Sequence, residues 1–201
     1  MIDFLATFVI FFAVIDPIGT VPVFLAVTRQ HSEKRRRQIA VKSAVVAALV
    51  LIVFAIGGEV LLKVMDIPLS SFEIAGGIVL FLFALSMIFG ESKPEEEVRL
   101  AEQCETAIYP LAVPSIAGPG AMLAAVLLTD NKRFGVLEQA QTLAVMLVVL
   151  LIAMILMLLS GRIFRLIGDG GASIISRVMG LILASVAITH ILAGIRAEFG
   201  I

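Results

Sequence analysis

The chain has 201 residues, 60% of them hydrophobic and 15% charged, with a net charge of −1 and a mean hydropathy of +1.10. Soluble domains run to about 45–50% apolar residues, so an ordinary water-soluble fold is excluded, and the near-neutral charge excludes a nucleic-acid binder, which needs a basic surface. The single cysteine, Cys104, excludes an intramolecular disulfide and a cysteine metal cluster, and no cofactor is expected.

Six apolar stretches approach or exceed the roughly 20 residues that cross a hydrocarbon core as helix. The first, Phe4–Val27, follows a start that carries only Asp3, without the basic n-region of a cleaved signal peptide, and reads as a retained helix. It contains Asp16-Pro17-Ile18-Gly19-Thr20-Val21-Pro22 in mid-span. The second and third, Ala40–Val64 and Phe72–Gly90, flank the short polar connection Lys63–Asp66, and Glu59 is expected at the interface. An acidic connection, Glu91–Glu105, divides the chain into halves of about 1–90 and 106–201; no chemistry is assigned to it.

The fourth stretch, Ile108–Leu128, holds Val113-Pro114-Ser115-Ile116-Ala117-Gly118-Pro119-Gly120. The fifth, Leu137–Ser160, is almost wholly apolar over Ala144–Leu159 and reads as a lipid-facing scaffold. Gly161–Gly171 is expected as a connection, and the sixth stretch, Ile174–Ile195, carries His190. The fold expected is thus an all-α membrane protein of six transmembrane helices in one domain.

Lysine and arginine set orientation, because acidic residues count little. Eleven of them, including the Lys34–Arg37 run, fall on the odd-numbered connections, against Lys63, Lys132, Arg133 and Arg196 on the other side. The odd connections are expected in the cytoplasm and both termini outside.

The halves resemble each other. Pro17 and Pro22 match Pro114 and Pro119, and at a second constant offset Asp66, Ser70, Gly77, Leu80 and Ala84 match Asp169, Ser173, Gly180, Leu183 and Ala187. With three helices per half, the second half must insert upside down. That is the inverted-repeat plan of many secondary transporters, whose sites lie near the midplane at paired Gly/Pro-interrupted segments.

Proline removes a backbone donor and clashes with the carbonyl four residues back. Irregular backbone at membrane depth survives only where protein buries it or where it lines a watery cavity. Each break starts a half-helix whose N–H groups suit a carboxylate, while the preceding carbonyls suit a cation. The candidate binding residues are Asp16, Pro17, Gly19, Thr20, Pro22, Pro114, Ser115, Gly118, Pro119 and Gly120. Asp16 has three readings: it carries a coupling proton, binds a substrate amine, or caps the broken helix through the N–H of Ile18 or Gly19. His190 is either a proton relay or a packing residue. Gly76, Gly77 and Gly180 are expected to let helices approach closely. No metal site is expected, since one carboxylate without a histidine or cysteine cluster supplies too few ligands.

At these motifs the sequence resembles the MarC family of membrane proteins, within the wider group of LysE-type exporters. The resemblance rests on Asp16-Pro17-Ile18-Gly19 with Val21-Pro22-Val23-Phe24-Leu25, on Ala112-Val113-Pro114 with Ala117-Gly118-Pro119-Gly120, and on Arg177-Val178-Met179-Gly180-Leu181. Many members have asparagine where this chain has Asp16. The resemblance implies a transporter in a prokaryotic cytoplasmic membrane for small neutral amino acids such as glycine, alanine, serine or threonine. The residues alone indicate a small polar solute. The alternatives are an exporter or carrier of another solute or ion and, further off, an intramembrane enzyme, for which Ser115 with His190 is the only pair. A homo-oligomer is left open, as is the direction of transport.

Overall fold

The computed structural model describes residues 3–89, 107–131 and 133–200, and it is helical with no strand among them. The acidic connection 91–105 and Lys132 lie outside the described residues. The helices are α1 (Phe4–Ile15), α2 (Thr20–Thr28), α3 (Glu33–Val64), α4 (Leu69–Phe89), α5 (Ala107–Ile116), α6 (Pro119–Leu127), α7 (Val136–Leu158) and α8 (Ser160–Phe199). Among the described residues, five segments are long and apolar enough to cross a membrane: Phe4–Thr28, Glu33–Val64, Leu69–Phe89, Val136–Leu158 and Arg177–Phe199. The expected fourth span is instead divided between α5 and α6, of 10 and 9 residues, each too short to cross alone.

Local chemistry sets the boundaries. The Asp3 side chain accepts the N–H groups of Leu5 and Ala6 at 3.0 and 3.1 Å and so starts α1. Ser32 caps α3 through the N–H of Arg35, at 3.4 Å. The Lys34–Arg37 run, expected as connection, therefore lies in the opening turns of a 32-residue helix. At 1.5 Å per residue that helix is roughly 48 Å long, more than a bilayer's hydrocarbon core.

Gly161–Gly171, also expected as connection, is helical and belongs to the 40-residue α8; the chain bends at Leu159 instead. Glycine lowers helix propensity by about 1 kcal/mol, but unlike proline it keeps the N–H that propagates the hydrogen-bond ladder.

The exterior is apolar. Val45, Leu49, Val53 and Ile56 of α3, Ile78 and Leu82 of α4, Leu147, Leu151 and Ile155 of α7, and Leu181 and Leu192 of α8 all face outward. The α7 helix is more than scaffold, because Met146, Val149, Leu150, Ala153 and Met157 on its other side enter the core. The interior mixes small and polar groups, among them Ala40, Ala44, Ala47, Thr20, Ser43 and Thr142, with Phe11, Leu51, Leu80, Leu111 and Leu183. Such an arrangement suits a solvent as apolar as leucine, in which association relies on close packing.

The α4 and α8 helices run antiparallel along a line of small residues. A Cβ on Gly77 would lie 3.0 Å from the carbonyl oxygen of Ala187, and one on Gly180 would lie 3.0 Å from that of Ala84. A Cβ on Gly194 would lie 2.7 Å from the Ser70 carbonyl. The shorter helices fill the rest: α1 packs on α7 and α5 on α3, while α2 packs on α8 and α6 on α4.

Candidate functional site at the two helix breaks

The first break follows from Pro17, which cannot donate to the carbonyl of Ala13. Asp16 ends α1 in the left-handed region, with φ 49° and ψ 64°, a conformation that aspartate tolerates better than most residues. It is 1% exposed. Its Oδ1 accepts the N–H of Gly19 at 3.0 Å, closing the turn that leads into α2. The Thr20 hydroxyl donates to the Asp16 carbonyl at 3.0 Å, and the Thr20 N–H reaches the same oxygen at 3.1 Å. The bond to the Gly19 N–H is one of the two that the capping reading of Asp16 named. Gly19 is required here because a Cβ would collide with the Asp16 carboxylate. Pro17 is buried and Pro22 half-buried.

The second break has a different form. The α5 helix is wound as a π-helix, and the N–H of Ala117 reaches five residues back to the carbonyl of Ala112 at 2.8 Å. Such wide turns recur at functional sites. Gly118 is extended, with φ −77° and ψ 170°, and Pro119 opens α6, the position where its missing N–H costs least. The side chain of Pro114 lies outside the described residues, and Pro119 is exposed.

Ser115 is 3% exposed, and its Oγ has no hydrogen-bond partner among the described residues. Elsewhere Thr20, Ser43, Thr129, Ser185 and Thr189 all donate to the carbonyl four residues back. The Ser115 hydroxyl, in the π-wound stretch, makes no such bond.

The two breaks meet in the interior. The α1 helix packs on α6, and α2 packs on α5. A Cβ on Gly120 would lie 3.7 Å from Cγ1 of Val14 and would overlap the Leu80 side chain. Asp16, Thr20, Ser115, Gly118 and Gly120 are all buried around this junction.

His190 belongs elsewhere. It is half-buried, and its charged neighbours are Glu73 and Arg133 rather than Asp16. Among the described residues the Ser115 hydroxyl has no partner, His190 included. The sequence analysis missed the cluster around His190. Glu73 is 2% exposed; its Oε1 lies 3.4 Å from Arg133 Nη1, while Oε2 has no hydrogen bond among the described residues. Arg133 Nε also lies 3.6 Å from Asp130 Oδ2.

Glu59, expected at the interface, is buried. It pairs with Lys63 at 2.6 Å, accepts the Asn131 N–H at 3.0 Å and takes a second bond from the Asn131 amide. Thr129 donates to the Ala55 carbonyl at 2.8 Å. A signal for Glu73 was available, since it is an acid inside the expected span Phe72–Gly90, and such residues face the bundle interior or pair with one another.

Long apolar helices with apolar exteriors, and a core in which a few polar groups are buried, define an integral membrane protein. Residues 1–199 match the family described as MarC family integral membrane protein, and the chain belongs to that family. It is similar to a UPF0056 membrane protein of Buchnera aphidicola, 31% identical over 99% of both chains. A UPF0056 membrane protein of Methanocaldococcus jannaschii is 35% identical over 96% of both. The UPF0056 inner membrane protein YhgN of Escherichia coli is 33% identical over 98% of both. No solved structure matches.

Proposed function

We propose that the chain is a secondary transporter of small neutral amino acids, of the glycine, alanine, serine and threonine class, working by alternating access. The observation that carries this reading is the meeting of two interrupted helices, one from each half, at Val14 and Gly120. Substrate sites of secondary transporters lie at such junctions. The half-helix start at Gly118–Gly120 would take the substrate carboxylate. The unpartnered Ser115 hydroxyl supplies a hydrogen bond that substrate could complete.

The pairing of helices favours an inverted repeat. The Gly77–Ala187 and Gly180–Ala84 contacts exchange when each residue is replaced by its sequence match in the other half. So do the α1–α7 and α5–α3 pairings, and the α2–α8 and α6–α4 pairings. The lysine and arginine distribution favours cytoplasmic odd connections with both termini outside, and the interrupted helices agree with a LysE-type exporter relationship. The Asp16 carboxylate, already engaged by Gly19, acts in this reading by holding the half-helix start, which also suits asparagine.

Uptake of labelled glycine and alanine into proteoliposomes, with and without an imposed pH gradient, is the test. Saturable uptake that falls at least tenfold in Ser115→Ala supports the site. Folded protein that moves no small amino acid in either direction overturns the substrate class.

A further inference from the structure

At the opposite end of the molecule from the Glu73–Arg133 cluster, a cleft of about 330 Å³ opens between the start of α3 and the α7–α8 bend. Its lining includes Phe24, Glu33, Arg36, Arg37, Ser160 and Arg162. Arg36 is fixed in place: its guanidinium stands over the Phe24 ring, 5.8 Å from the centroid, and its Nη2 reaches Ser160 Oγ at 3.5 Å. A guanidinium has five N–H donors, so most of those on Arg36 remain for another group. Arg37 and Arg162 have no carboxylate partner within 4 Å among the described residues. Three guanidinium groups against the single carboxylate of Glu33 leave the cleft strongly positive.

Basic residues that only orient a chain in the membrane need charge and no shape. Here the charge surrounds a cavity whose floor, Phe24 and Met157, is buried and apolar. Leu158 and Leu159 border the cleft and are 42% and 40% exposed, continuous with the outward-facing Leu151 and Ile155 of α7. A ligand that fits has a phosphate for the arginines and an acyl chain for the leucines. Guanidinium is well matched to phosphate, which it can bind through two parallel bonds, and basic pockets between membrane helices hold lipid headgroups.

We propose that this cleft binds the phosphate of an anionic phospholipid, with Arg36, Arg37 and Arg162 as its ligands. The site is separate from the junction of broken helices and stands whether or not the chain transports amino acids.

The test is thermal unfolding of the purified full chain in detergent, titrated in separate arms with dioctanoyl phosphatidylglycerol, dioctanoyl phosphatidylcholine and inorganic phosphate. Phosphatidylglycerol should raise Tm saturably, by roughly 5–10 °C at a hundredfold excess over Kd, and the other two should do little. The Arg36→Gln/Arg162→Gln variant should bind at least tenfold more weakly, whereas Arg196→Gln, at the far end of α8, should bind normally. Gly161→Asp keeps the test sharp if the double variant fails to fold. A Cβ at Gly161 meets nothing within 4 Å, so the new carboxylate enters the cleft without a clash and should abolish the shift. Equal stabilisation of wild type and Gly161→Asp would overturn the site. Inorganic phosphate matching phosphatidylglycerol would overturn the lipid as its source.

Discussion

Val14 and Gly120 face each other across the two helix breaks: a Cβ added to Gly120 would come to 3.7 Å from Cγ1 of Val14 and would overlap the Leu80 side chain. The contact joins the last turn of α1 to the first turn of α6, two elements more than a hundred residues apart in sequence. Overpacking a tight junction costs about 1–3 kcal/mol. Gly120→Val is therefore expected to lower the unfolding temperature and to reduce glycine uptake more than tenfold. Gly57→Val, at an α3 position with open space around it, should change neither. Equal behaviour of the two variants would show that the junction is loose.

Asp16 offers a second comparison. Asparagine keeps a side-chain oxygen that can accept the Gly19 N–H, and alanine does not. Loss of that buried hydrogen bond costs about 0.5–1.5 kcal/mol, so Asp16→Ala should unfold at lower temperature than wild type while Asp16→Asn stays close to it. If uptake in Asp16→Asn is intact but no longer responds to a pH gradient, the carboxylate titrates during transport and its part exceeds capping.

Ser115→Ala should separate stability from function. A buried hydroxyl without a partner costs about 1–3 kcal/mol, and removing it should leave the unfolding temperature unchanged or higher. The same change should weaken uptake. A fall in stability would mean that the hydroxyl has a protein partner.

The Glu73–Arg133 pair is asymmetric, with the carboxylate 2% exposed and the guanidinium side 49% exposed. Removing Arg133 strands a buried charge, whereas removing Glu73 leaves a cation that can turn to water. Arg133→Gln should thus cost more than Glu73→Gln, by about 1–3 kcal/mol. The double variant should recover part of the loss, because a neutral amide tolerates burial better than a carboxylate while Asp130 still loses its contact with Arg133. Chemical denaturation of the four proteins, read as a double-mutant cycle, gives the coupling directly.

The breaks were legible because proline acts locally: Pro17 and Pro119 remove donors wherever the rest of the chain lies. The continuous α8 was not, since the glycines of 161–171 weaken a helix without removing its hydrogen bonds, and packing decides the outcome. The π-winding of α5 leaves no signature in residue type. Glu73 could be flagged from sequence as an acid in an apolar span, but its partner could not. Arg133 stands 60 residues away, and only the fold brings the α6–α7 connection over the end of α4. The small residues Gly77 and Gly180 were recognised as packing positions; which carbonyls they meet needed the structure.

The α4–α8 seam has a mechanical consequence. Its three backbone approaches, at Ser70–Gly194, Gly77–Ala187 and Ala84–Gly180, recur every seven residues along both helices. Ile191, Ile88 and Ile74 side chains flank the three close approaches, and the Ser70 hydroxyl is tied to Glu198 at 2.6 Å near one end, so sliding one helix along the other would break every contact at once. A seam of that kind is expected to act as a strut, with deformation falling on the interrupted backbones at Asp16–Gly19 and Ala117–Gly118, where helical hydrogen bonds are already missing.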